Sequence, residues 1–207
     1  MKILSVLLLL VSFNLQAEEL YSSVDEYVQA ATKVKINKNN PREYYGVTSE
    51  NKKWHVGFAH DGISGEGFLY VLEVNKQGKL KLASRSSLSE YAGLTVFADE
   101  ITMYANDGFS VTFGYGQSRT NYDFQRIKNN WFVTSANHTE LAQCGQGDNS
   151  ETFYSLEAST NYLTGEIKEQ RYSEKDCKPL KLIKKKQKFS LVPLTDFYPL
   201  MEIAPKQ

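Results

Sequence analysis

The sequence predicts a mainly β protein: an antiparallel meander, packed as a sandwich or as a partial β-propeller-like array, with one N-terminal α-helix. Three observations support this fold class. From Trp54 onward, apolar and polar residues alternate with a period of two. Turn signals such as Asp107-Gly108 separate the alternating runs. The chain also holds 13 tyrosines, 11 phenylalanines and 2 tryptophans, and aromatic side chains suit the pleated, half-buried surface of a sheet, although a binding surface also uses them.

The N-terminus has the pattern of a cleavable secretory signal. Lys2 precedes an apolar run over residues 3–13, and the small residue Ala17 stands just before two glutamates. The apolar run is too short to span a bilayer. We therefore expect cleavage near Ala17 and a periplasmic or secreted protein of residues 18–207.

The charge balance of the mature chain excludes some partners. The whole chain has 24 basic and 24 acidic residues, and removal of Lys2 with the signal leaves one more acid than base. A chain so close to neutral gives no electrostatic reason to expect nucleic acid or an anionic membrane as the partner. No later stretch reaches the roughly 20 apolar residues of a spanning helix, so no membrane span is expected.

Three segments follow from these patterns: the signal peptide at 1–17, a helix with its linker at 18–45, and an antiparallel β domain at 46–207. The helix is predicted over 18–33, because apolar residues recur there at helical spacing and acidic residues gather near its N-terminal end. The turn-forming run Asn39-Asn40-Pro41 ends any helical tendency.

The first strands of the β domain are predicted from short apolar runs. Trp54–Phe58 is one strand, and residues 62–67 form a glycine-rich loop. Residues 68–74 are almost continuously apolar, which indicates a central strand with both faces covered. A turn at Asn75–Gly78 leads into an alternating strand at 79–83.

Two further hairpins and several single strands complete the β domain. The predicted hairpins join 100–104 to 109–113 and 121–127 to 131–134. Further strands are predicted at 152–159, 166–172, 180–183 and 188–192, and a surface loop at 143–150.

Cys144 and Cys177 are the only cysteines. Two cysteines in an oxidising compartment usually pair, so we expect a disulfide. It would close a loop of about 34 residues and stabilise the fold by roughly 3–4 kcal/mol. A reactive thiol or a metal ligand is the alternative, but neither cysteine has a second cysteine or a histidine at ligand spacing.

A series of strand motifs runs from Phe68 to Gly165. It comprises Leu69–Glu73, Lys79–Ser84, Ile101–Met103, Gly114–Arg119, Tyr122–Arg126, Asn129–Val133 and the closing Asn161-Tyr162-Leu163-Thr164-Gly165. This series resembles a widespread family of secreted bacterial proteins with an antiparallel β domain, of the propeller- and FG-GAP-associated type. The resemblance implies the β fold and export, and it implies no particular activity.

Members of that family often carry an acidic, calcium-binding loop near the N-terminus. The corresponding stretch here, residues 60–67, has only Asp61 and Glu66 as carboxylates. Calcium takes six to eight oxygen ligands, usually with several carboxylates among them. We therefore expect a turn without metal, and no cofactor.

Residues for catalysis are sparse. The chain has three histidines, His55, His60 and His138, and none stands at a spacing that would chelate a metal with another. Ser64 lacks the glycine two residues later that a nucleophile elbow requires. The adjacent carboxylates Asp99 and Glu100 are expected to point to opposite faces of one strand. We therefore do not expect an enzyme.

Two surface features are candidates for binding. Gly114–Arg119 combines flexible glycines with Tyr115, Gln117 and Arg119, and tyrosine and arginine are frequent in binding hot spots. A turn or β-bulge with the tyrosine packed inward is the alternative interpretation. The lysines at 181, 184, 185, 186 and 188 form a basic cluster that is a candidate for binding an anionic partner or a cell-wall polymer. The alternative is a solvated turn between strands, or lysines that protect an exposed sheet edge from aggregation.

The function we expect is that of a soluble, exported protein-binding module, such as an inhibitor or immunity-type protein, whose partner is another exported protein. One alternative is an envelope hydrolase that acts on glycan or peptide. Another is a structural envelope component, which would have a large exposed apolar face and self-associate. Two carboxylates, or a histidine and a carboxylate, converging in one cleft would favour the hydrolase.

Overall fold

The computed structural model describes residues 19–32, 44–61, 66–86, 89–90, 97–144, 151–173, 175–176 and 178–198. These residues form two antiparallel sheets and one α-helix. The prediction of a mainly β, antiparallel fold with one helix near the N-terminus is therefore confirmed.

Sheet 1 is built around a four-strand meander. Its strands are β1 (Leu20–Tyr21), β2 (Tyr44–Glu50), β3 (Trp54–Asp61), β4 (Glu66–Val74), β5 (Leu80–Arg85) and β6 (Ser89–Glu90). They are ordered β1-β5-β4-β3-β2, and β6 also pairs with β4. Consecutive strands from β2 to β5 are neighbours, as expected when short turns connect antiparallel strands.

Sheet 2 is a meander of seven strands in chain order. They are β7 (Phe97–Tyr104), β8 (Gly108–Tyr115), β9 (Ser118–Ile127), β10 (Asn130–Cys144), β11 (Glu151–Asn161), β12 (Glu166–Arg171) and β13 (Ile183–Lys186). Lys128 and Asn129 form the β9–β10 turn, and both have positive φ, 49° and 69°. A turn of this mirror-image kind matches the right-handed twist of the two strands.

The helix α1 (Val24–Thr32) lies on the outer face of sheet 1. The Ser23 hydroxyl oxygen accepts the backbone N–H of Glu26 at 3.2 Å and so caps its first turn. The predicted helix over 18–33 was too long at its start. Leu20 and Tyr21 pair instead with β5, so the ladder hydrogen bonds of an edge strand outweigh helical periodicity there.

Sheet 1 is covered on both faces. In β4, the side chains of Phe68, Tyr70 and Leu72 pack toward the helix with Tyr27, while Leu69 and Val71 pack toward sheet 2. All five β4 side chains are at most 2% exposed. The prediction of a central strand with two covered faces is confirmed.

The larger core lies between the two sheets. Trp54 of sheet 1 meets Trp131 of sheet 2 edge to face, with ring centroids 5.4 Å apart. The C-terminal segment closes one side of this core. It runs beside β10, where the N–H of Val133 donates to the carbonyl of Val192 at 3.0 Å. A short 3₁₀ helix at Leu194–Asp196 follows, and Leu194 and Phe197 are buried in the core.

Several element predictions are corrected. Strand β2, which begins at Tyr44, was not predicted. Glu66 and Gly67 belong to β4 and not to a loop, because they pair with β6. Near the C-terminus, Ile183–Lys186 is a strand, while residues 188–192 lie outside any strand. There the apolar side chains pack into the core as a connecting segment, which alternation alone does not distinguish from a strand.

Other predictions fall outside the described residues. These are the signal peptide at 1–17, the loop residues 62–65 and 145–150, and Cys177. Cys144 ends β10, but its side chain also lies outside the described part. The disulfide and export therefore stay predictions.

Candidate functional site

The face of sheet 2 that points away from the core is polar. Along β8, Phe109, Val111 and Phe113 are fully buried in the core, and the alternating residues Ser110 and Thr112 point the other way. The same alternation continues across the sheet. We use the name polar face for the outward residues of its central and C-terminal strands: Arg119, Asn121, Asp123, Ser135, Asn137, Thr139, Glu157, Ser159, Asn161, Glu166, Lys168, Lys184 and Lys186.

The register aligns these residues into rows. One row crosses five strands through paired positions, in the order Asn121, Asn137, Ser159, Lys168 and Lys184. At the usual strand spacing, five strands place about 20 Å between the ends of the row. Amide, hydroxyl and ammonium groups thus form a continuous line of hydrogen-bonding groups.

A β-bulge in β10 brings Ser135, Asn137 and Thr139 to the polar face. The pairing of β10 with β9 shifts between Val133 and Ser135. Val133 is buried in the core, so strict alternation would also turn Ser135 and Asn137 inward. The extra residue Thr134 reverses this, and Ser135 lies opposite Asp123 instead. Sequence reasoning missed Asn137 and Ser159 as site residues because no sequence signal marks the bulge.

Two open depressions lie in the polar face. The first has a volume of about 220 Å³ and is lined by Ser135, Asn137, Ser159, Thr160, Asn161, Glu166 and Lys168. The second, about 470 Å³, is lined by Thr164, Glu166, Lys184, Lys185 and Lys186. They share Glu166, so together they form one surface that becomes cationic toward β13.

Most acids of the polar face have partners. The Asp123 carboxylate accepts the Tyr104 hydroxyl at 2.7 Å and also the Ser135 hydroxyl. Burial and the bond to this carboxylate raise the pKa of Tyr104, against a lowering contribution from Ser110. The Lys168 ammonium lies 3.2 Å from the Glu166 carboxylate. Among the described residues, no ion pair joins Lys184 or Lys186 to an acid.

The predicted binding segment is a hairpin turn. Tyr115 pairs with Ser118, so Gly116 and Gln117 form a two-residue connection, and Gly116 adopts φ +54°. The Gln117 carbonyl accepts the N–H of Leu141 at 3.0 Å, and the Gln117 side chain is exposed. The segment therefore forms a turn, while the inward packing of the tyrosine and the binding role both stay predictions. The side chain of Tyr115 lies outside the described part.

Arg119 lies on the polar face with its side chain 71% exposed. Its guanidinium lies 3.4 Å from the Asp99 carboxylate, which sits over Gly114. The prediction that Asp99 and Glu100 point to opposite faces is wrong. The pairing of β7 shifts between Ala98 and Glu100, and this bulge places both carboxylates on the outer face.

His138 belongs to a hydrogen-bonded group on the other side of the sheet. Its Nδ1 lies 2.8 Å from the Thr120 hydroxyl, and its Nε2 lies 3.2 Å from a carboxylate oxygen of Glu140. Thr120 is only 5% exposed, so its hydroxyl has little access to a substrate. His55 lies 2.9 Å from Glu50 at the start of β3. No three metal-ligating side chains cluster within the part of the chain that the structure describes.

No helix among the described residues is long and apolar enough to cross a membrane. Comparison of the chain with models of known protein families, with curated proteins and with solved structures gives no match. The resemblance to secreted bacterial β proteins therefore stays a prediction, and the polar face is interpreted from this chain's own residues.

Proposed function

We propose that this protein is an exported binding module, of the inhibitor or immunity type, that contacts another exported protein through the polar face of sheet 2. The main support for this proposal is the row of amide, hydroxyl and ammonium groups that runs from Asn121 to Lys184 on an open surface. Export is supported by the secretory signal pattern of the first 17 residues.

The shape of the surface favours a macromolecule over a small ligand. Small-molecule sites are concave and mostly apolar, so that they enclose most of the ligand. The two depressions of the polar face are open, and their lining residues are polar. A face about 20 Å wide, with hydrogen-bonding groups distributed over several strands, fits the broad and polar contact of a non-obligate protein interface.

The sheet holds this surface rigid. Asp123 is bonded to both β7 and β10 through its side chain, and Asn121 donates to the Thr112 hydroxyl at 2.9 Å. These bonds link four neighbouring strands, β7 to β10. Because the side chains are ordered before contact, a partner loses less entropy on binding them than on binding mobile loops.

An envelope hydrolase remains the second candidate, since a histidine does meet a carboxylate in His138 and Glu140. The buried Thr120 is the hydroxyl nearest to that histidine. If this group were catalytic, His138→Ala would abolish hydrolysis of peptide or glycan substrates. We expect neither wild type nor His138→Ala to hydrolyse them.

A capture experiment with matched variants tests the binding function. Oxidised residues 18–207 would be immobilised and incubated with periplasmic and extracellular extract, and retained proteins identified by mass spectrometry. Asn137→Trp fills the first depression, whereas Thr102→Trp places the same side chain on the outer face of β7, outside the polar face.

We expect the wild type and Thr102→Trp each to retain one stoichiometric partner, and Asn137→Trp not to retain it. Arg119→Ala and Tyr115→Ala would show whether the interface extends to the β8–β9 turn. Equal retention by Asn137→Trp would overturn the polar face as the contact surface, and retention of no protein by wild type would overturn the proposed function.

A further inference from the structure

Strand β13 is the outermost strand of sheet 2, and its residues Ile183–Lys186 are all exposed. Among the strands that the structure describes, it pairs with β12 alone. The unpaired side of an edge strand presents free backbone N–H and C=O groups that can pair with another chain. The edge adjoins the larger depression of the polar face, which Lys184, Lys185 and Lys186 line.

The register shows which backbone groups are free. The N–H of Gln187 donates to the carbonyl of Gly165 at 2.9 Å, so Gln187 faces β12. In an antiparallel pair, inward and outward backbone groups alternate along the strand. Lys185 and Ile183 therefore also face β12, and the N–H and C=O groups of Lys184 and Lys186 point away from the sheet.

The charge at this edge is unbalanced. The lysines at 181, 184, 185, 186 and 188 are all exposed, and within the described residues none of them forms an ion pair. The nearby Glu166 is already paired with Lys168. The edge therefore combines free main-chain groups with uncompensated positive charge.

We propose that the β13 edge binds an acidic, extended segment of a protein partner, which adds to sheet 2 as a further antiparallel or parallel strand. This proposal rests on the proposed binding function and names the chemistry of the partner. The main chain of the segment would pair with Lys184 and Lys186, and its acidic side chains would lie opposite those lysines on the polar face. On the other face the segment meets Ile183 and Lys185.

The geometry favours a peptide over an acidic polysaccharide. Lysine ammonium groups attract either polyanion, but the free N–H and C=O groups alternate at the spacing of a β-strand. Only another main chain presents matching acceptors and donors at that spacing. The competing role of these lysines is protection of the edge against aggregation, and it predicts no binding of such a segment.

A synthetic probe separates these cases. The probe is a fluorescently labelled acetyl-Thr-Glu-Val-Glu-Val-Glu-Thr-amide, and its binding is measured by fluorescence anisotropy. Two further peptides of equal charge carry N-methyl groups on one or the other alternating set of backbone nitrogens. Only one set faces β13, so one of the two peptides should bind as the parent does and the other should bind about tenfold or more weakly.

Charge variants provide the second readout. Lys184→Glu/Lys186→Glu should weaken binding by about tenfold or more, and binding by wild type should fall between about 50 mM and about 300 mM salt. Lys52→Glu/Lys76→Glu is the matched control, because it changes the net charge equally at two exposed lysines in the β2–β3 and β4–β5 turns. Circular dichroism would verify that both variants are folded.

Three results would overturn the proposal: absence of peptide binding, equal binding of both N-methylated peptides, or equal affinity for polygalacturonate. The last two would assign the edge to polyanions in general. In the capture experiment, Lys184→Glu/Lys186→Glu could retain the partner while Asn137→Trp loses it. That result would support the binding function and would show that the β13 edge is not part of the interface.

Discussion

Thr134 is one residue more than β10 needs to match β9, and this single insertion exchanges the two faces of the strand from that point on. Asn137 reaches the polar face as a result, while His138 turns to the other side and bonds to Thr120. Asp99 has the corresponding effect in β7. One bulge residue thus decides which β10 side chains join the polar face, and the other decides which β7 side chains lie on the outer face beside it.

Gly57 provides room for Tyr70 between sheet 1 and the helix. A Cβ at residue 57 would overlap the ring and hydroxyl of Tyr70, whose side chain is 1% exposed. We expect Gly57→Ala to lower the free energy of unfolding by about 1–3 kcal/mol, the usual cost of overpacking a core. Urea denaturation measures this loss.

A double-mutant cycle with Tyr70→Leu provides the control for that effect. Because leucine removes the ring atoms that collide with the new methyl group, Gly57→Ala should cost less in the Tyr70→Leu background. If the two substitutions lower the free energy of unfolding additively, the destabilisation by Gly57→Ala does not come from its contact with the Tyr70 ring.

At the scale of elements, the β11–β12 turn explains the Asn-Tyr-Leu-Thr-Gly motif physically. The Asn161 side-chain oxygen accepts the N–H groups of Leu163 and Thr164 at 3.0 and 2.9 Å. Gly165 adopts φ +76° and donates its N–H to the Asn161 carbonyl at 2.8 Å. Tyr162, which is 8% exposed, anchors the turn in the core.

Gly165→Ala should disrupt this turn and its contact with the segment after β13. The added Cβ would overlap the Gln187 carbonyl and would also impose a left-handed conformation on alanine. Gly78→Ala is the matched control, since Gly78 has the same φ of +76° and no atom within 4 Å of its Cβ position. We expect Gly78→Ala to cost about 1 kcal/mol and Gly165→Ala clearly more.

Hydrogen exchange gives the local readout for this prediction. The Gln187 amide donates to Gly165, so its protection should fall in Gly165→Ala and stay unchanged in Gly78→Ala. Equal losses of stability in the two variants would mean that backbone conformation alone, and not the contact with Gln187, sets the cost.

At the scale of the whole molecule, the C-terminal segment completes the core between the sheets. The Phe197 ring contacts the rings of Tyr122 and Phe124, each at a centroid distance of 5.0 Å, and that of Phe113 at 6.1 Å. Phe197→Ala should therefore lower the free energy of unfolding by about 3–5 kcal/mol. The neighbouring Tyr198 is 48% exposed, and Tyr198→Ala should change stability by at most about 0.5 kcal/mol. Thermal or urea unfolding of both variants measures these changes in the free energy of unfolding. Similar losses in Phe197→Ala and Tyr198→Ala would contradict the role of this segment in completing the core.

The buried tyrosines make the whole fold sensitive to alkali. Burial raises the pKa of Tyr27 to about 12, with Arg85 opposing the shift in part, and burial also raises the pKa of Tyr162 to about 12. Below pH 10.0, the ordinary tyrosine pKa, both hydroxyls stay protonated in the folded and in the unfolded chain, so they do not lower the free energy of unfolding. Between about pH 10 and about pH 12 the unfolded chain ionises first, so each of the two tyrosines lowers stability by about 1.4 kcal/mol per pH unit.

Absorbance of tyrosinate and near-ultraviolet circular dichroism, followed together, test this expectation. Part of the tyrosinate absorbance should appear only as the near-ultraviolet circular dichroism of the folded protein is lost. In Tyr27→Phe, this circular dichroism signal should fall less steeply with rising pH. Complete ionisation near pH 10 with an intact native signal would contradict the burial of these hydroxyls.

The sequence by itself determined the fold class and most of the hairpins. Period-two alternation, the Asp107-Gly108 turn and the Lys128-Asn129 turn are local signals, since each depends on residues that lie next to one another in the chain. The same applies to the central strand β4, whose almost continuous apolar run indicated two covered faces before any partner was known.

Only the tertiary structure decided which side chains share the polar face and which edge stays open. The bulges at Asp99 and Thr134 depend on how one strand matches the length of its neighbour, and β13 is an edge because no later described segment pairs with it. The Arg119 position was predicted from its residue type, whereas Asn137, Ser159 and Lys184 came together through register. Register is set by the packing of one whole face against a core, so a local sequence pattern does not contain it.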